Sequence, residues 1–175
     1  NKNNKSVDDW YEFISALFGG FPEIKTFGNR LSNLLQNSSY DILIDNQSLS
    51  FGVLEVQNRI PVIEIVHHPI TKDYEYEIQF SKGIIQKISK WRWFSFLKMQ
   101  KKVAPLLKVI FTPSANSKND IVKDFNVSKK KIAVIPNGID HIKFSPKKDI
   151  NRNPGQLITT ASADVPQKGL DFTLK

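Results

Sequence analysis

His67 and His68 stand side by side where the apolar run PVIEIV gives way to a proline. An imidazole at such a strand end can hydrogen-bond a hydroxyl or carry a proton near neutral pH. Adjacent side chains of an extended strand leave on opposite faces, so one of the pair faces a cleft and the other faces packing. The competing reading is a satisfied structural histidine. Asn46, Gln47 and Ser48 follow another apolar run, Ile42-Leu43-Ile44, and their side chains both donate and accept hydrogen bonds, as contacts to a polyol require. A simple Asx-type strand exit explains the same residues. Asn137 and Gly138 follow a third run and suit a cleft floor, with Gly138 read as serving backbone conformation and Asp140 as a turn cap. Lys168-Gly169 stands at an expected strand-to-helix turn, where a lysine adds a point charge to helix amides and favours a bound anion. Any surface lysine before a glycine would look the same. His67, His68 and His141, with no cysteine, lack the spacing of a metal site, and no metal is expected.

The elements that must hold these residues recur in one shape, an apolar run ending in groups able to meet a ligand. Ile42–Ile44 runs into Asp-Asn-Gln, 61–66 into His-His-Pro, 109–111 into Thr-Pro-Ser, and 132–135 into Pro-Asn-Gly. Each is a candidate buried parallel strand. Between the last two, residues 117–125 read as a helix with Ser117 as its cap and Asp120 at capping-box spacing, which makes a βαβ unit. Helices are also expected over 10–18, ended by Gly19-Gly20 and Pro22, and over 26–35. Residues 1–9 read as a frayed beginning. The polar stretch 147–156 reads as a linker, followed by a fifth strand at 157–160 and a helix starting near Gly169. The fold class is therefore α/β, a Rossmann-like doubly wound parallel sheet whose functional edge lies where the strands end.

Charge is unevenly spread. The chain carries 25 Lys and Arg against 17 Asp and Glu, a net +8, yet between Glu77 and Asp120 every charged residue is basic. Such a local excess suits one anionic surface partner and not a polyanion binder throughout; no nucleic acid is expected. Residues 87–108, KISKWRWFSFLKMQKKVAPLLK, place Ile88, Phe96, Met99, Val103 and Leu106 near one helical face, and Trp93, Phe94 and Leu97 beside the basic residues on another. That pattern suits peripheral contact with an anionic membrane, against the alternative that both apolar sides pack internally under solvated lysines. Pro105 predicts a break just before it. No run of roughly eighteen apolar residues is present, and the absence of cysteine fits a reducing compartment, so the expectation is a cytoplasmic protein, at most at the inner membrane face.

The run from Thr112 to Pro146, TPSANSKNDIVKDF and then VSKKKIAVIPNGIDHIKFSP, resembles glycosyltransferase family 4, the group 1 retaining enzymes of the GT-B arrangement. ADVPQKGLDF at 163–172 is similar to the opening turn of that family's donor domain, and IVHHPI at 65–70 to its His-bearing strand end. The resemblance implies a partial N-terminal acceptor-side domain over 1–148, then a linker and the first strand and helix start of a second Rossmann-like domain over 149–175. It implies His67 as the catalytic cleft residue, Lys168 and Gly169 on the donor diphosphate, and Asn46, Gln47, His68, Asn137 and Gly138 along the acceptor cleft. Three departures stand out. No glycine-rich first loop is found, Ala163 occupies a position where the family commonly has arginine, and a pair of glutamates separated by seven residues would lie past Lys175. A piece of a longer protein, inactive alone, is therefore expected.

The implied activity is retaining transfer of a sugar from a nucleoside-diphosphate sugar, a co-substrate with no further cofactor, to an alcohol acceptor such as a glycan, a glycolipid or a small molecule. The leaving diphosphate would assist the attacking hydroxyl, so the protein's part is positioning and charge stabilisation. The alternative is a Rossmann-like peripheral membrane or polyanion-binding module without catalysis. A dinucleotide oxidoreductase ranks last, because no strand read here runs into G-x-G-x-x-G.

Overall fold

The computed structural model describes residues 5–146, 153–156 and 158 of the chain. They divide, between Pro136 and Asn137, into two compact units. In the first, a parallel sheet of β1 (Leu43–Asn46), β2 (Val62–Ile65), β3 (Ile110–Thr112) and β4 (Ile132–Val134) runs in the order of the sequence. The four apolar runs are these strands. Chain-order winding puts the crossovers on one face. That face carries Val62, Val66, Ile110 and Ile132, packed with Val53 and Val56 of α3 (Phe51–Gln57), Met99 and Val103 of α6 (Leu97–Val103), and Ile121 and Phe125 of α7 (Ala115–Phe125). On the other face Ile44 is exposed and Ile63, Ile65 and Phe111 are half-buried.

α2 (Glu23–Leu34) closes on α3 at a point where neither backbone has room for a side chain, and Gly28 and Gly52 face each other there. Arg59 then donates to the carbonyls of Ser32 and Leu35, supplying acceptors at the end of α2 with donors. α1 (Val7–Leu17) begins earlier than expected. Ser6 and Asp9 form a reciprocal capping box, so residues 6–9 are ordered helix start and not frayed chain. None of α1 is buried; Trp10, Phe13, Leu17 and Phe18 are exposed, and α1 is tied to α2 by Arg30 bridging Asp9 at 2.9 Å and Glu12 at 2.7 Å.

Two further expectations change. The cap of α7 is Ser114, not Ser117: its extended backbone lets Oγ accept from the Ser117 N–H at 3.0 Å, three residues in, so Ser117 is already helical. Residues 87–108 are not one two-faced helix. α5 (Ile84–Trp93) ends in a tight turn at Phe94–Phe96, α6 follows, and a second tight turn, Ala104–Leu106, contains Pro105 at the predicted break. Phe96, Leu97, Met99 and Val103 are buried, while Ile88, Trp91, Trp93 and Leu106 are exposed. α3 and α4 (Thr71–Gln79) were not expected at all. Among the described residues, no helix is long and apolar enough to cross a membrane.

In the second unit, Asp140 accepts from the backbone N–H of Ile142 and of Lys143, each at 3.0 Å, as a turn cap does. Gly138 has no left-handed φ, and among the described residues nothing crowds the place where a Cβ would stand, so neither feature calls for glycine there, contrary to expectation. Of the expected fifth strand only residue 158 is described, and Ala163, Lys168 and Gly169 lie outside the described residues.

Candidate acceptor site at the strand ends

β1 and β2 pair in register from Leu43↔Val62 to Asn46↔Ile65, so their ends release Gln47 and Val66-His67 side by side. Gln47 turns into the left-handed region at φ 68°, and Leu49 follows at φ 48°, a conformation uncommon for side-chain-bearing residues. The turn brings the Gln47 amide onto the neighbouring backbone. Its Oε1 accepts from the His67 N–H at 2.9 Å, and its Nε2 donates to the His68 carbonyl at 3.0 Å. One side chain thus continues the β1–β2 ladder beyond the point where the main chain of β1 departs.

The histidine rings then diverge, as alternation predicts. His67 Nε2 lies 2.9 Å from Asn46 Oδ1, and His68 Nε2 lies 3.1 Å from Asp73 Oδ2 on α4. In the tautomer with its proton on Nε2, His67 donates to Asn46 and keeps Nδ1 as an acceptor. Both histidines and Asn46 are exposed and Gln47 is half-buried. Such a cluster can receive and orient a hydroxyl. Asn137 and Gly138 belong to the second unit and are exposed within it.

Beneath the turn, Asp45 Oδ2 accepts from the Ser48 N–H at 2.9 Å and from Ser48 Oγ at 2.7 Å, and Gln100 of α6 points its amide Nε2 at the carbonyls of Gln47 and Ser48, at 3.5 and 3.4 Å. Glu64, the register partner of Asp45, is fully buried, and among the described residues neither of its carboxyl oxygens completes a hydrogen bond. Burial first, and the Asp45 charge second, push the Glu64 carboxyl up to about 10, with the amides of Leu49 and Gln47 pulling weakly the other way.

A model of the family described as Glycosyltransferase Family 4 matches residues 6–143. The chain belongs to glycosyltransferase family 4. It is similar to the MMP alpha-(1->4)-mannosyltransferase of Mycolicibacterium hassiacum, 37% identical over 173 residues that cover 97% of this chain and 41% of that relative. The chain therefore spans about two fifths of the relative's length.

Of the positions singled out from sequence, this family 4 chain brings Asn46, Gln47, His67 and His68 into one hydrogen-bonded cluster. Sequence reasoning missed the groups that support it: Asp45, Glu64, Asp73 and Gln100. The signal for Glu64 was present, since a carboxylate in the middle of PVIEIV has to be buried if that run is a strand. A groove of about 440 Å³ lined by Tyr11, Phe18, Trp91 and Phe96, with Lys25 and Arg92 among the others, shares no residue with the strand-end cluster.

Proposed function

We propose that the protein transfers a sugar, with retention, from a nucleoside-diphosphate sugar to an alcohol acceptor, and that this stretch supplies the acceptor-side wall. The observation that carries the reading is the clamp of Gln47 on the His67 and His68 backbone, which sets an exposed imidazole beside the Asn46 side-chain amide. His67 orients the transferred sugar or the acceptor hydroxyl, Asn46 fixes its ring, and His68 and Gln47 shape the cleft. Lys168 and Gly169 hold the donor diphosphate, and Asn137 and Gly138 line the acceptor side. The relative's activity as an α-(1→4)-mannosyltransferase makes mannose the first sugar to try and an α-(1→4) linkage the first product to look for.

The test is a thermal-shift screen of the full-length protein against nucleoside-diphosphate sugars, followed by transfer assays with the donor that binds. At a hundredfold excess over Kd, one donor should add about 2.7 kcal/mol of stability. If no donor moves the transition and none is consumed, the transferase reading fails.

A second contact is proposed for the same chain, with an anionic lipid surface. α5 exposes Ile84, Ile85, Ile88, Trp91 and Trp93 next to Lys87 and Arg92, the mixture of apolar insertion and cationic attraction that such surfaces reward. The protein should float with phosphatidylglycerol vesicles at low salt. Lys87→Glu with Arg92→Glu should weaken that binding by at least about tenfold, at about 1 kcal/mol for each lost cation. Absence of flotation in the wild type removes the contact.

A further inference from the structure

We infer that Glu64 is a positioning residue: it keeps a proton, directs it at Asp45, and so braces the left-handed 46–49 turn whose Gln47 holds His67. The inference rests on the reading of the strand-end cluster as the acceptor site. Asp45 and Glu64 are directly opposite on adjacent parallel strands, about 4.8 Å apart by ordinary strand spacing, and both lie on the buried face. Asp45 uses Oδ2 for Ser48, and Oδ1 takes no hydrogen bond among the described residues. Two carboxylates cannot both stay ionised at that spacing in a dry layer, whereas one carboxylic acid next to one carboxylate satisfies both.

Among the described residues, no cation counts among the groups acting on Glu64. Of the charged side chains, β1 presents Asp45; β3 presents Ile110 in register with Glu64 and has a buried Thr112; α3 contributes buried Val53 and Val56, with Glu55 exposed. α6 contributes Gln100, with Lys98, Lys101 and Lys102 exposed. The turn itself contributes the amides of Gln47 and Leu49. Three supports therefore meet at one short turn: Asp45 on Ser48, Gln100 on two carbonyls, and Glu64 behind Asp45. Removing the proton puts a second negative charge beneath the turn, and the Gln47 amide loses its fixed origin.

The same arrangement has a sign in pH. With the folded-state value raised to about 10 from 4.5, the unfolded chain holds fewer protons across that window, so stability is greatest at its acid end and falls as pH rises. Glu64→Gln keeps a donor of the same shape and has nothing to titrate. Its melting temperature should gain on the wild type by about 5 °C or more between about pH 5 and pH 9.

The deciding experiment uses the full-length protein in three arms. With glutamate labelled at its carboxyl carbon, the resonance missing in Glu64→Gln identifies Glu64; it should show the protonated form at neutral pH, and titration in the ordinary carboxylate range overturns the inference. Hydrogen exchange at the His67 N–H should speed up by at least about tenfold in Glu64→Leu and stay slow in Glu64→Gln, while the Val66 N–H, bonded to Phe111 in the sheet at 2.8 Å, stays protected in both. Equal His67 protection in all three proteins overturns the brace. In the kinetic arm, Glu64→Leu should lose at least about tenfold in kcat and Glu64→Gln should restore most of it. A wild type that transfers no sugar would sink the transferase reading alone, because the first two arms are read without activity.

Discussion

Gly52→Ala should be the most damaging single-methyl change in the chain. A Cβ at that position would lie 1.9 Å from the carbonyl oxygen of Gly28 and 2.2 Å from its carbonyl carbon. Those are backbone atoms of a packed helix, which cannot rotate aside, so α2 and α3 would have to move apart and open the core at Val53 and Val56. Overpacking of this kind costs typically up to about 3 kcal/mol, and a clash with main chain belongs at or above that limit. Urea unfolding should show a lower midpoint at unchanged slope, or no folded protein at all. Gly28→Ala should cost less, because its Cβ meets the Ser50 hydroxyl at 2.2 Å, and Ser50→Gly in the same chain should recover part of the loss. Equal costs for the two alanines would show that the helices can shift, and the close approach would then not be what fixes α2.

His67→Ala should lower kcat about a hundredfold in the full-length protein, the usual scale for losing one group that positions or stabilises charge at a reacting centre. Gln47→Ala should come close to it without touching the ring, because both hydrogen bonds that set the backbone of His67 and His68 are lost. Gln47→Glu separates clamp from bulk: it keeps an acceptor for the His67 N–H but presents a second acceptor to the His68 carbonyl, so it should resemble the alanine variant. His68→Ala, whose ring pairs with Asp73 away from Asn46, should be milder and felt more in KM. Steady-state kinetics with the donor found by binding would settle the order. If His67→Ala and Gln47→Ala both stay within about a factor of three of wild type while folded, His67 has no part in the transfer.

Much of the fold could be read from the residues because each parallel strand is a short apolar run with a polar end, a signal that is local and repeated. The four described strands fall on the expected runs, and α7 was placed between the last two. The helices α3 and α4 escaped because FGVLEVQ and TKDYEYEIQ are short, and their character comes from tertiary contacts, the Gly28–Gly52 approach for one and the Thr71–Asp124 hydrogen bond for the other. Residues 87–108 misled because a helical period continues across a chain that in fact turns twice, and only Pro105 announced one of the turns. At the site, residue types were legible and geometry was not. Asn46, Gln47, His67 and His68 could be named as strand-end polar groups, but a glutamine adopting φ 68° to hydrogen-bond two backbone groups of another strand leaves no trace in a sequence. Nor does a periodicity argument distinguish a buried glutamate that keeps its proton from an error in the strand assignment.

The Gln47 clamp touches main chain only, the N–H of residue 67 and the carbonyl of residue 68. Every amino acid except proline at 67 offers those same two atoms. The side chains at these positions can therefore change while the clamp holding their backbone stays unchanged. For an engineer, with His67 kept for the proposed transfer, this makes 68 the position to vary on a fixed mount, with Gln47 left alone. For descent with modification, it separates side chains free to vary from the residue that keeps their backbone in place.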